Sequence, residues 1–207
     1  MLTTVNTALF YTCLSKYLVW FRQTTPEYAS YVSSTLNALC LIITENAILD
    51  TRMSLFSGYL ISDTAYLLST NNVFAKSNIS FIIHHALTLL LTTSKYPTLY
   101  SNITNKVLLV ERTIPLLNAA WFLKNYKNTC NNIEYKNTIS SCKNILQATH
   151  FIAYTYYRVW NLSSVVWEGY KSKIYFPVEA LLFFVWGINI AWYKILLKKA
   201  IKLVRNN

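Results

Sequence analysis

The chain is poor in the residues that break helices, with three glycines and four prolines in 207 residues. A fold of many short strands and tight turns needs more of both at its corners. Charge is scarce too. Asp, Glu, Lys and Arg make up 13% of the chain, against about 25% in an ordinary soluble domain. That is too little polar surface to cover a water-soluble globule of this size. Four cysteines are present: Cys13 and Cys40 fall in apolar runs, Cys130 and Cys142 in a polar stretch. This usage favours small packing residues over a disulfide framework or a metal cluster. No GxGxxG, P-loop, CxxC or HExxH spacing occurs, so the nucleotide, redox and zinc chemistries that depend on those motifs have no foothold.

Apolar residues make up 54% of the chain, and the mean hydropathy is +0.28. They come in blocks of roughly 15–25 residues, about the length that crosses a bilayer core as a helix. Seven candidate spans follow: 5–21, 28–49, 55–70, 79–95, 98–123, 144–166 and 178–197. The expected fold is all-α, a multi-pass transmembrane bundle of six or seven helices. The first span carries Lys16 and competes with a signal-peptide reading. It lacks a basic leading segment and a small-residue cleavage pattern after Phe21, so a retained span is expected. Residues 1–27 then form an N-terminal span and loop, 28–200 the main membrane domain, and 201–207 a basic tail. The segment "NYKNTCNNIEYKNTISSCKN" (125–144) reads as a solvated loop.

Nineteen Lys and Arg against eight Asp and Glu would suggest nucleic acid in a soluble protein. Their placement argues for a membrane. With seven spans, one side receives eleven cations: Arg22, Lys76, Lys124, Lys127, Lys136, Lys143, Lys194, Lys198, Lys199, Lys202 and Arg205. The other receives four: Arg52, Lys95, Lys171 and Lys173. The positive-inside rule puts the rich side in the cytosol, hence a lumenal N-terminus and a cytosolic C-terminus. The segment "YKILLKKAIKLVR" suits the headgroup level of an anionic leaflet. The expected partners are membrane lipids, not nucleic acid.

Ionisable groups inside spans are costly and tend to mark function. Here they are concentrated: Asp63 in the third span, His84 and His85 in the fourth, Glu111, Arg112 and Asn118 in the fifth, His150 and Arg158 in the sixth, Asn189 in the seventh. At about 1.5 Å per residue, Asp63 and His84 each lie roughly 10 Å from the cytosolic end of their helices. Neighbouring antiparallel helices thus bring a carboxylate and imidazoles to one level. His84 shares a face with Ser80 and Thr88, whereas His85 points about 100° away. Glu111, Pro115 and Asn118 recur at i, i+4 and i+7 as one stripe. His150, Tyr154 and Arg158 form another, followed by Asn161. Arg158 would neutralise Asp63 or Glu111. His150 and Asn189 read as interhelical hydrogen-bonders.

An imidazole beside a carboxylate in a sheltered cavity suits proton transfer. A neutral ring accepts the proton of an amine or hydroxyl as that group attacks an acyl donor. Metal binding is the other use of such residues, but adjacent histidines on one helix diverge, and no metal is expected.

The pieces "SGYLISDTAYLL", "HHALTLLL", "LLVERTIPLLNAAWFL", "YYRVW" and "GINIAWYKILL" resemble, in this order, the TLC-domain family (TRAM, Lag and CLN homology), which includes the ceramide synthases. They cover roughly residues 35–200. The resemblance implies a multi-helix membrane domain of the endoplasmic reticulum that acts on lipids. In the ceramide-synthase branch it implies transfer of a fatty acyl group from acyl-CoA, a co-substrate with no bound cofactor, to a sphingoid amine. His84 and His85 then match the paired catalytic histidines and Asp63 the acid of the preceding helix, with Glu111, Asn118, Arg158 and Thr88 supporting or binding substrate. That branch carries a His and paired aspartates in the fifth span, where this chain has Glu111, Pro115 and Asn118, a pattern nearer the small TLC-domain proteins. The alternative is a non-catalytic TLC-domain protein that binds lipid or regulates membrane composition.

Overall fold

The computed structural model describes residues 2–20, 25–69, 76–93, 101–129 and 133–205. All regular structure among them is helical, in seven segments. These are α1 (Leu2–Trp20), α2 (Pro26–Ile43), α3 (Leu49–Ser69), α4 (Lys76–Thr93), α5 (101–129), α6 (133–171) and α7 (Phe176–Arg205). Each expected span falls on its own helix. The all-α expectation holds. Arg22, Lys95 and Cys130 lie outside the described residues.

Local signals explain the ends. Thr25 caps α2, its Oγ1 accepting from the Tyr28 N–H at 3.2 Å, and Pro26 opens the helix with a fixed φ and no donor to lose. Between α6 and α7, Lys173 takes a left-handed φ of 48°. The N–H groups of Ser172, Lys173 and Ile174 there bond back to carbonyls of Glu168, Tyr170 and Gly169, which satisfies the helix C-terminus without a glycine in the turn. The expected loop 125–144 is largely absent: α5 runs to Thr129 and α6 begins at Ile133. The segment is polar but holds neither Gly nor Pro, and Ile139 gives it a buried anchor. Polarity alone therefore did not end either helix.

Two helices are irregular, one of them at a proline. Pro115 lacks an N–H and its ring crowds the carbonyl four residues back. The preceding Leu109–Thr113 stretch winds as a 3₁₀ helix between the α-helical pieces Ser101–Leu108 and Ile114–Thr129. In α6 a π-helical stretch, Thr155–Asn161, carries Arg158. Such insertions re-aim side chains and gather at functional sites.

Helix packing follows a closed circuit. α2 lies against α3, α3 against α4, α4 against α7, α7 against α6, α6 against α5, and α5 against α2. α1 sits outside it, against α2 and α3. Gly58 permits that approach: a Cβ there would lie 2.6 Å from Thr7 Cβ and 2.9 Å from the Ala8 nitrogen. Tyr11 then meets the edge of Tyr59, centroids 5.6 Å apart, and the Ser15 and Ser33 hydroxyls pair at 3.1 Å. Tyr11, Leu41, Phe56, Leu60 and Leu108 form one apolar cluster, and Val165, Val178 and Leu182 anchor another.

Polar and apolar groups are distributed in an unusual way. Asn37, Arg52, His84, His85, Glu111, Asn118, His150, Arg158 and Asn189 are buried, while Phe10, Ile43, Leu68, Ile83, Leu90, Ile152, Trp160, Phe176 and Phe184 are exposed. One helical stretch, Phe176–Lys202, is long and apolar enough to cross a membrane unaided, with a mean hydropathy of 1.7 over its most apolar window; Tyr28–Ile43 and Ile79–Thr92 are shorter apolar helices.

Candidate functional site

The polar residues singled out in the sequence converge inside the circuit, but as separate groups. The first joins α3 and α4. Nδ1 of His85 lies 3.6 Å from Oδ2 of Asp63, within ion-pair range, and 3.3 Å from Oγ1 of Thr64. Ser30 of α2 donates to Asp63 Oδ1 at 2.9 Å. The edge of Tyr59 faces the His85 ring at 6.3 Å between centroids. An ionised carboxylate only accepts. This arrangement therefore favours the tautomer with a proton on Nδ1, leaving Nε2 as the basic lone pair.

His84 takes the other direction that its position one residue earlier dictates. Its ring centroid lies 6.0 Å from that of His85, and its face meets α7 through Trp192 at 5.2 Å, edge to face. Among the described residues its Nδ1 is buried with no hydrogen-bond partner. The two histidines thus differ in kind: His85 is held by an acid and a hydroxyl, and His84 retains an unused polar atom. Thr88, a turn further on, bonds back to the carbonyl of His84 at 2.7 Å, so its hydroxyl is occupied within its own helix.

The second group joins α5, α6 and α7 around Arg158, which is 4% exposed. Its Nε donates to Thr113 Oγ1 at 2.8 Å and its Nη1 to Asn189 Oδ1 at 3.1 Å. Its Nη2 lies 3.6 Å from Glu111 Oε1, and the guanidinium sits 5.5 Å over the Tyr154 ring. Tyr154 in turn donates to the Asn189 carbonyl at 3.0 Å, and His150 meets its ring edge-on at 5.8 Å. Of the two acids Arg158 was expected to serve, it takes Glu111. All three of its nitrogens are engaged.

Asn118 belongs to neither group. Its amide donates to Tyr31 O, Ser34 Oγ and Thr35 Oγ1 at 3.1, 2.7 and 2.8 Å, which ties α5 to α2. The expected stripe of Glu111, Pro115 and Asn118 is therefore divided between two neighbours. The split reflects the position of α5, which packs against α2 on one side and α6 on the other. Asn161 likewise leaves the Arg158 stripe and donates to the Lys106 carbonyl at 2.8 Å.

Ser30, Thr64, Trp192 and Thr113 were not singled out in the sequence. Ser30 carried a signal: with Ser33, Ser34 and Asn37 it marks a polar face of α2 at helical spacing. Trp192 and Thr64 carried none, because their importance rests on which helices are neighbours.

The two groups use opposite charge logic. The α3–α4 pair sets a titratable ring against an acid and leaves polar atoms uncommitted, which suits proton transfer or binding. The α5–α7 cluster consumes its donors internally, which suits rigidity. Among the described residues no three His, Cys, Asp or Glu side chains come together as a metal cluster would require. Comparison with known proteins found no matching family model, no similar curated protein and no similar solved structure.

Proposed function

We propose that this chain is a multi-pass membrane protein whose helical circuit encloses a polar site that acts on lipids. What supports a membrane setting is the inverted distribution of side chains, with buried Glu, His, Arg and Asn and exposed Phe, Ile, Leu and Trp. In hydrocarbon an exposed apolar side chain costs nothing, while polar groups must turn inward to partners. The setting put forward is the endoplasmic reticulum, with the N-terminus lumenal and the C-terminus cytosolic.

The reaction put forward is transfer of a fatty acyl group from acyl-CoA to a lipid amine or hydroxyl, as the resemblance to TLC-domain proteins implies. The observation that carries it is the Asp63–His85 pair with His84 at its side. Asp63 and Thr64 hold Nδ1, and Nε2 of His85 takes the proton of the attacking amine. The new C–N bond forms as the thioester C–S bond breaks, and the proton passes from His85 to the departing CoA thiolate. His84 Nδ1 supplies a hydrogen bond to the nucleophile or the thioester oxygen. Lys124, Lys136 and Lys143 sit at the end of the bundle where the CoA phosphates would approach.

The test is purified protein incubated with radiolabelled palmitoyl-CoA and a panel of long-chain amines and alcohols, with His85→Ala as control. Acylated product from wild type alone supports the reaction. A second reading, a non-catalytic lipid binder, is favoured by the internal satisfaction of Arg158, Glu111 and Asn189. It predicts no acyl transfer and unchanged lipid profiles on His85→Ala at equal expression.

A further inference from the structure

Arg112 and Arg158 each meet a carboxylate, Glu45 and Glu111 respectively. Arg52 does not. It is the fourth residue of α3 and only 4% exposed, yet among the described residues no acid lies within ion-pair distance. Among the described residues its one hydrogen bond runs from Nη1 to Asn105 Oδ1 on α5 at 2.6 Å, and its Nε is buried with no partner. The acid whose field reaches it, Glu45, is already engaged by Arg112, whose own charge repels Arg52. A buried cation whose nearest acid is shared with a second guanidinium is poorly compensated, and an orphaned buried donor calls for a missing acceptor.

The surroundings indicate what kind. The guanidinium fork matches the oxygens of a phosphate, and Asn105, its Oδ1 occupied by Arg52, has an Nδ2 to add as a donor. The chain neighbours of both residues, Met53 and Thr104, line a narrow apolar cavity of about 30 Å³ that also touches Leu91, Leu108 and Leu182. We infer that Arg52 and Asn105 form a binding site for a phosphate oxyanion. The site lies at the end of the bundle where α2 passes into α3, distinct from the histidine pair and independent of any acyl transfer there.

The test uses the full chain in neutral detergent and phosphate-free buffer, with thermal unfolding as readout. The probes are inorganic phosphate, dihexanoyl phosphatidate and, as the anion-free control, dihexanoylglycerol. Phosphatidate should raise the wild-type Tm saturably, by about 5–10 °C at a hundredfold excess over Kd. An equal rise with inorganic phosphate identifies free phosphate as sufficient, and a rise with phosphatidate alone identifies a lipid headgroup. Arg52→Gln should abolish the rise and, in anion-free buffer, melt no lower than wild type because it removes an unpaired buried charge. Asn105→Ala should weaken the binding at least several-fold, and decides the matter with the wild-type titration if Arg52→Gln does not fold. No rise with either anion, an equal rise with dihexanoylglycerol, or an undiminished rise in the variants overturns the site.

Discussion

Nδ1 of His85 and Oδ2 of Asp63 face each other at 3.6 Å across the seam between α3 and α4. A carboxylate at that position fixes the ring's orientation and stabilises the imidazolium that forms when Nε2 takes a proton, as in other acid–histidine pairs. The distance exceeds a hydrogen bond, and Thr64 Oγ1 at 3.3 Å shares the same nitrogen. Under the proposed reaction the pair would tighten when a substrate fills the site, as catalytic hydrogen bonds commonly do.

Asp63→Asn should therefore reduce acyl transfer by about 10²–10⁴-fold, the usual worth of a positioned acid–base group, while leaving the melting temperature near wild type. His84→Ala and His85→Ala should abolish the activity with abundance and membrane insertion unchanged. If the histidines are only packing groups, each alanine variant should instead lose about 1–3 kcal/mol from the partners left unsatisfied. Activity measured per folded molecule, alongside thermal melts in detergent, separates the two. Activity falling only in step with folded protein would falsify the catalytic role.

Topology admits an independent check. A glycosylation acceptor placed in the 172–175 turn between α6 and α7 should be modified in the lumen. The same acceptor inserted within 125–142 should stay bare if the cation-rich end faces the cytosol, as proposed. Efficient glycan addition at 125–142 would reverse the orientation.

The helical segments were legible in the sequence because apolar block length and the scarcity of Gly and Pro act locally. Seven expected spans meet seven helices for that reason. The polar residues were legible as a set, since a charged group in an apolar run stands out without any knowledge of partners. Their pairing was not. Arg158 had two acids within reach by depth, and only the packing of α5 on α6 selects Glu111 over Asp63. The stripe of Glu111 and Asn118 was legible too, but not that its two ends meet different neighbours, α6 and α2. The polar 125–144 segment is largely helical despite its composition, because it holds no Gly or Pro to end either helix.

Gly58 offers a test of how α1 is held. A methyl at this position would press on Thr7 Cβ and on the α1 backbone, neither of which is the free end of a flexible chain. Gly58→Ala should destabilise the protein by about 1–3 kcal/mol through overpacking. The strain should also separate Ser15 from Ser33. Oxidative cross-linking of a Ser15→Cys/Ser33→Cys pair, efficient on the Gly58 background, should drop when Gly58→Ala is added. Unchanged stability and cross-linking would mean that α1 is not packed on α3 at this point.

The Arg158 cluster carries the sharpest energetic prediction. Removing the guanidinium in Arg158→Met strands Glu111, which is 7% exposed, together with the acceptors on Thr113 and Asn189. Breaking one half of a buried ion pair costs about 3–5 kcal/mol, whereas replacing both halves with neutral groups of similar volume is often close to neutral. Arg158→Met should thus melt far below wild type, and Glu111→Gln/Arg158→Met should recover more than half of the loss. The coupling read from this double-mutant cycle is specific to the pair, because the hydrogen bonds to Thr113 and Asn189 are lost equally in the single and double variants. A double variant no more stable than Arg158→Met would show that Glu111 does not depend on Arg158, and that the acid is balanced by something other than its nearest guanidinium.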